Sequence, residues 1–284
     1  MNRDFPVDPE LEKGYNVRLL RDDFQQLFEG WTARSSVFRT KADTQLDCAY
    51  DNGPRDRLDL FSCGERGAPL FVFIHGGYWQ RGDKSVYSFV AEPFVEQGVD
   101  VALIGYQLCP DTDMSSMVAQ IQKAIMWLWR NAAQCGITAD RINICGHSAG
   151  GHLTAMMLTT PWRQFGDDFP HNLVKTGIPM SGLYQLEPIR HTTIADALHM
   201  DASVALGNSP YFLKPSTDAS ILVTVGGGES AQLRWQTDQF IKQWSHYQAP
   251  IESHVEAEVD HFDLVNRLAG GDSEIFNKVR AWLR

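Results

Sequence analysis

Apolar positions change rhythm several times along this chain. Over residues 15–30 (YNVRLLRDDFQQLFEG) they fall at helical spacing and Gly30 closes the stretch, which predicts a helix there. Two strand-like segments follow, TQLDCAYD from Thr44 and RLDLFSC from Arg57, joined by the turn-forming string DNGPRD; together they predict a hairpin. From Pro69 the pattern becomes a continuous apolar run, PLFVFIHGG, as expected of a strand buried on both faces. A helix-like stretch from Lys84 to Gln97, the buried strand VDVALIGY and the amphipathic helix MVAQIQKAIMWLWRNAA from Met117 come next. RINICGHSAGG, VKTGIPMSG, ILVTVGGG and IESHVEA read as further strands, with helices between or after them, including AQLRWQTDQFIKQWSHY and the C-terminal SEIFNKVRAWLR. Strands alternating with helices imply crossover units. The expected fold class is therefore α/β, with a mostly parallel central sheet, an antiparallel N-terminal hairpin and helices on both faces.

No linker, repeat or low-complexity segment divides the 284 residues, so one domain over 1–284 is expected. Ligands of such sheets bind beyond the carboxyl ends of the strands, which makes each glycine-rich strand end a candidate site. A net charge of −10 and the absence of a Lys/Arg run argue against nucleic acid as a partner. The polar start carries no signal-peptide pattern, and no stretch approaches the roughly 20 apolar residues that span a bilayer, so no membrane partner is expected. The five cysteines are odd in number, widely spaced and without a C-x-x-C pair, as expected of free thiols in a cytoplasmic protein. Oligomeric state is not legible.

The strongest chemical signal is Gly146-His147-Ser148-Ala149-Gly150, a G-x-S-x-G string between an apolar strand and a helix. That setting is what a nucleophile elbow requires. Small residues let the strand and helix close tightly, and the serine Oγ is pushed up at the strand end. An acyl-transfer enzyme also needs backbone N–H donors for the oxyanion, and the glycines of His75-Gly76-Gly77-Tyr78-Trp79 supply them after an early strand; Gly76, Gly77 and Ala149 are the candidate donors. The base must be a histidine later in the chain. His261 stands in a loop (EVDHFDLV) after the last expected strand, whereas His147 and His152 belong to the elbow and the helix behind it, and His254 lies within a strand. The orienting acid is expected after the penultimate strand, where ILVTVGGGES places Glu229; Asp238 lies inside the next helix, Asp218 at the wrong end of the sheet, and Asp260 beside the base itself. Ser148, Glu229 and His261 are thus the candidate catalytic residues. H-E-x-x-H does not occur and no His/Asp cluster has ligand spacing, so no metal is expected, and the mechanism calls for no cofactor.

The strings HGGYW, GYQLCP, GHSAGGHL, SGLYQLEP, GNSP, VGGGES and DHFDLV together resemble the α/β-hydrolase group that contains the serine-dependent kynurenine formamidases (arylformamidases), over roughly residues 40 to 270. The resemblance implies the α/β-hydrolase fold and hydrolysis of N-formyl-L-kynurenine to kynurenine and formate, as in tryptophan breakdown. It carries nucleophile, acid and base onto Ser148, Glu229 and His261 and the oxyanion donors onto Gly76, Gly77 and Ala149. Two departures stand out: Gln185 replaces an Asp of the family's SG-x-x-D-L-E-P string, and the acid is Glu where several relatives use Asp. The partner is then a small-molecule ester or formamide. Two alternatives stay open: a broad short-chain carboxylesterase on the same site, and a non-catalytic ligand-binding member of the fold. Tyr78, Trp79 and Tyr184 are candidates for an aromatic substrate pocket, and the segments 15–30 and 184–199 for its cover.

Overall fold

The computed structural model describes residues 6–247 and 249–283. Among them eight strands join one sheet: β1 (Asp43–Ala49), β2 (Arg57–Ser62), β3 (Leu70–Ile74), β4 (Asp100–Ile104), β5 (Ile142–His147), β6 (Val174–Met180), β7 (Ser220–Gly226) and β8 (Ile251–Glu256). The spatial order is β1-β2-β4-β3-β5-β6-β7-β8. The first two strands form an antiparallel hairpin, β2 runs antiparallel to β4, and every later pairing is parallel. This is the α/β-hydrolase fold. The helices are α1 (Pro9–Tyr15), α2 (Phe24–Lys41), α3 (Glu92–Glu96), α4 (Met114–Asn131), α5 (Ala149–Leu158), α6 (Ala202–Gly207), α7 (Ala231–Trp244), α8 (Asp263–Leu268) and α9 (Glu274–Trp282).

Every residue of β3, β4, β5 and β7 is buried, which is why these strands read as unbroken apolar runs. α4 buries Met114, Met117, Val118, Ile121, Ala124, Ile125 and Leu128, one stripe at spacings of three and four, and Asp113 caps it by accepting from the Ser116 amide at 2.8 Å. α5 is buried all round, wedged between the sheet and α4. At the open edge, β1 is mostly exposed and interrupted by a bulge between Gln45 and Cys48, which blunts it against pairing with another chain.

The N-terminal region departs from the single helix expected over 15–30. α1 ends at Tyr15, a 3-10 turn covers Val17–Leu20, and α2 starts at Phe24 and runs through Gly30 to Lys41. Gly30 does not stop the helix: it is exposed, and the buried face continues beyond it as Trp31, Ser35 and Phe38. Burial of Trp31 and Phe38, worth about 1.5–3 kcal/mol for a large apolar side chain, outweighs the roughly 1 kcal/mol that glycine costs in a helix. Likewise Lys84–Val90 is a 3-10 helix leading into the short α3 instead of one long α-helix.

Candidate active site

Strand order creates the site. β3 has β4 on one side and β5 on the other, so the chain leaves β3 and β5 side by side in the crevice where the order reverses. The HGGYW loop therefore meets the elbow. A Cβ on Gly76 would lie 2.8 Å from the His147 carbonyl oxygen and 3.0 Å from Ser148 Cβ. The elbow's own glycines are sterically required. A Cβ on Gly150 would come within 2.0 Å of the Ile74 carbonyl oxygen, and one on Gly146 within 2.2 Å of the Gly150 carbonyl oxygen. Between them Ser148 adopts φ 59°, ψ −119°, a strained turn of the kind that costs about 1–3 kcal/mol and is held by its surroundings. One such support is the Ser148 amide, which donates to the Met180 carbonyl at 2.9 Å. Ala149 opens α5, so its amide points from a helix N-terminus with no intrahelical acceptor. Gly77, Tyr78 and Trp79 all have positive φ, and among the described residues the Gly77 and Tyr78 amides donate to no protein acceptor.

The loops after β7 and β8 bring in a carboxylate and an imidazole. Glu229 Oε2 lies 2.7 Å from His261 Nδ1, with both side chains almost wholly buried. The other carboxylate oxygen, Oε1, accepts from the Gly226 amide at 2.8 Å and from the Ser181 hydroxyl. With Nδ1 donating to a carboxylate, Nε2 is the imidazole nitrogen that carries a lone pair. The His261 loop is braced by Asp260, which accepts from the Phe262 and Asp263 amides, and by Arg21, which bonds Asp260 and Asp263 at 2.9 Å each. Ser148 and His261 line the same cavity, and among the described residues no hydrogen bond joins the two side chains.

That cavity encloses about 1000 Å³. Its wall opposite the elbow comes from the N-terminal region, through Arg18, Phe24, Phe28 and Trp31, with Tyr78, Tyr87 and Phe262 completing an aromatic lining. The sheet end supplies Gly77, His147, Ser148 and His261. Of the three aromatic candidates only Tyr78 lines this cavity, and the structure places the other two elsewhere. Trp79 is fully buried in the core, donating to His152 Nδ1 at 3.1 Å, and Tyr184 is fully buried in a stack on Phe240, 4.0 Å between ring centres. Neither they nor any residue of 184–199 lines the cavity. Gln185 is outside it too, tied through its backbone to the Gln236 side chain. His254 pairs with Glu256 on β8, and His152 Nε2 lies 2.7 Å from the Asn208 carbonyl oxygen.

Two contributors were missed. Ser181 follows β6 with φ 47° and binds the buried carboxylate; its signal was a parallel strand ending in Ser-Gly beside the other strand ends. His147, set aside as part of the elbow, packs its ring 4.4 Å from that of His261. Burial, and the neighbouring His261, hold the His147 imidazole well below its usual range, so the ring beside His261 is neutral. Among the described residues no group of three or more His, Cys, Asp and Glu is arranged to hold a metal ion, and no helix is long and apolar enough to cross a membrane.

A serine on a strained elbow, a carboxylate-held imidazole and unpaired loop amides can carry out acyl transfer through a covalent intermediate. Comparison with known proteins agrees. The BD-FAE family model matches residues 58–209. The kynurenine formamidase of Danio rerio is 32% identical over 237 residues, 81% of this chain and 78% of that protein. A solved structure from Silicibacter sp. TM1040, provisionally described as a thioesterase, superposes with a TM-score of 0.83 at 30% identity over 96% of this chain and 98% of its own. Esterase B of Lactobacillus rhamnosis shares the fold, with a TM-score of 0.70 at 16% identity over 92% of this chain and 96% of its own. The chain belongs to the BD-FAE family of α/β-hydrolases, among relatives that include the kynurenine formamidases, and is a hydrolase of the formamidase or esterase type.

Proposed function

We propose that Ser148 is the nucleophile, His261 the general base and Glu229 the acid that orients it, and that the substrate is N-formyl-L-kynurenine. The observation that carries this reading is the buried Glu229–His261 pair, 2.7 Å apart, opening onto the same aromatic cavity as Ser148. His261 Nε2 takes the Ser148 hydroxyl proton as Oγ attacks the formyl carbon. The oxyanion is received by the amides of Gly76, Gly77 and Ala149. Collapse breaks the C–N bond, and the leaving arylamine takes the proton from His261. Water then attacks the formyl ester by the same steps, releasing formate and restoring Ser148. The Glu229 carboxylate stabilises the imidazolium formed in each half-reaction, and the two donors to its other oxygen, the Gly226 amide and the Ser181 hydroxyl, keep it aimed. Gln185, the departure from the family string, is not among the residues that line the cavity.

We read residues 1–284 as one domain acting in the cytoplasm; all five cysteines are free thiols. The test is kcat/KM on N-formyl-L-kynurenine beside p-nitrophenyl acetate and butyrate, with Ser148→Ala as the blank. A preference of about a hundredfold or more for the formamide, roughly 2.7 kcal/mol in transition-state binding, is expected. Fast ester turnover with negligible formamide cleavage would make the protein a short-chain carboxylesterase.

A further inference from the structure

We infer that Arg18 binds a carboxylate carried by the leaving group, so that the site selects aromatic substrates with an anionic head over neutral ones. This rests on the reading of Ser148 as nucleophile but is independent of the identity of the acyl group. Arg18 sits half-buried in the 3-10 turn Val17–Leu20 and lines the cavity that holds Ser148. Its guanidinium lies 5.5 Å from the centre of the Phe24 ring, against the aromatic wall. Among the described residues it has no carboxylate partner, whereas Arg21, three residues on, is engaged by Asp23, Asp260 and Asp263. Its backbone is tied to the loop after β3, where the Arg18 amide donates to the Tyr78 hydroxyl at 3.4 Å and Tyr78 directly follows Gly77.

The charges around the cavity support a carboxylate ligand. Of its two acidic residues, Asp83 is paired with Arg55 at 3.3 Å and accepts from the Ser85 amide, and Glu29 is exposed. Arg81 lines the cavity as well, exposed and also without a carboxylate partner among the described residues. Unpaired guanidiniums therefore outnumber unpaired carboxylates there, in a chain whose net charge is −10. The protein's overall field repels an anion, but at physiological salt that field is screened beyond about 8 Å, so a guanidinium inside the cavity governs what docks. Guanidinium forks match carboxylates in shape, and a half-buried one binds more strongly than one in open water. Aromatic rings on the wall would hold the aryl body while Arg18 holds the acid. A neutral short-chain ester offers nothing to Arg18.

The experiment measures kcat/KM on a matched pair of aryl acetates, phenyl acetate and 3-carboxyphenyl acetate, and on N-formyl-L-kynurenine, for the intact chain, Arg18→Gln and Arg18→Lys. In Arg18→Gln the anionic-to-neutral ratio is expected to fall about 10- to 100-fold, mainly through KM, with part of the loss recovered in Arg18→Lys. The intact chain's preference for the anionic ester should also shrink as salt rises. An unchanged ratio, or an equal loss on both esters, would overturn the inference. If N-formyl-L-kynurenine is not cleaved but the ester ratio depends on Arg18, the inference stands and the formamidase reading falls. If it is cleaved equally well by Arg18→Gln, the formamidase reading stands and the inference falls.

Discussion

The two sides of the cavity are built by different means. On the sheet side, position comes from backbone: glycines that admit no Cβ, a serine at φ 59°, and a carboxylate held by a main-chain amide. On the N-terminal side it comes from side chains. Phe28 and Trp31 pack on Tyr87, Arg39 of α2 reaches the buried Asp59, and Arg21 ties the Val17–Leu20 region to the His261 loop. Backbone sterics leave few alternatives, whereas side-chain packing can be rebuilt one residue at a time. Such a molecule can keep its chemistry while its substrate wall changes.

Breaking the sheet side should cost rate and leave binding nearly intact. On the proposed mechanism, Glu229→Gln keeps the shape but removes the charge facing His261, and kcat should fall about 10²- to 10⁴-fold with little change in KM. A KM effect alone would place Glu229 outside the reaction. The same side should show in acid. Burial pushes His75 and His152 down to about 4 and holds His147 lower than its usual range. Below about pH 6.5 the unfolded chain takes up protons on these rings that the folded chain refuses. Stability should therefore fall as pH drops from about 6.5 to 4, by up to roughly 1.4 kcal/mol per pH unit for each ring. Urea titrations at a series of pH values measure this, and flat stability across that window would contradict it.

Breaking the N-terminal side should do the reverse. Arg39 bonds Asp59 at 2.5 Å, and Lys84 bonds the same fully buried carboxylate at 2.7 Å. Arg39→Met leaves Lys84 in place, so the loss should sit near the low end for a broken buried pair, about 3 kcal/mol, with KM rising more than kcat falls. The smallest effect sharpens the comparison from within the sheet side. Ser181→Ala removes one of two protein donors to Glu229 Oε1, and kcat should fall about tenfold. Ser181→Thr, which keeps the hydroxyl, should recover part of that rate.

The same division explains what could be read in the sequence. β3, β5 and β7 were legible because a doubly covered parallel sheet demands unbroken apolar runs, and chemistry collects at their carboxyl ends. Ser148, Glu229 and His261 were singled out on that logic; the structure pairs Glu229 with His261 and sets His261 and Ser148 on one cavity. The wall was less legible. A helix interrupted at Asn16 and again at 21–23 looks continuous in its apolar spacing, and Gly30 imitates a stop although buried aromatics carry the helix past it. Aromatic type alone does not separate Tyr78 in the cavity from Trp79 and Tyr184 in the core. What separates them is a bond to His152 and a stack on Phe240, both made by residues distant in sequence. Ser181 offered only its place at a strand end, since the carboxylate it binds lies 48 residues away.

On the mechanism proposed above, Ser148 is made nucleophilic by a carboxylate-held His261. A fluorophosphonate probe, followed by peptide mapping, tests it most directly on the intact chain, on His261→Ala and on Ser148→Ala. One adduct is expected, on Ser148, formed at least about a hundredfold more slowly in His261→Ala and absent in Ser148→Ala. An adduct on another residue, or labelling of Ser148 at an unchanged rate without His261, would contradict it.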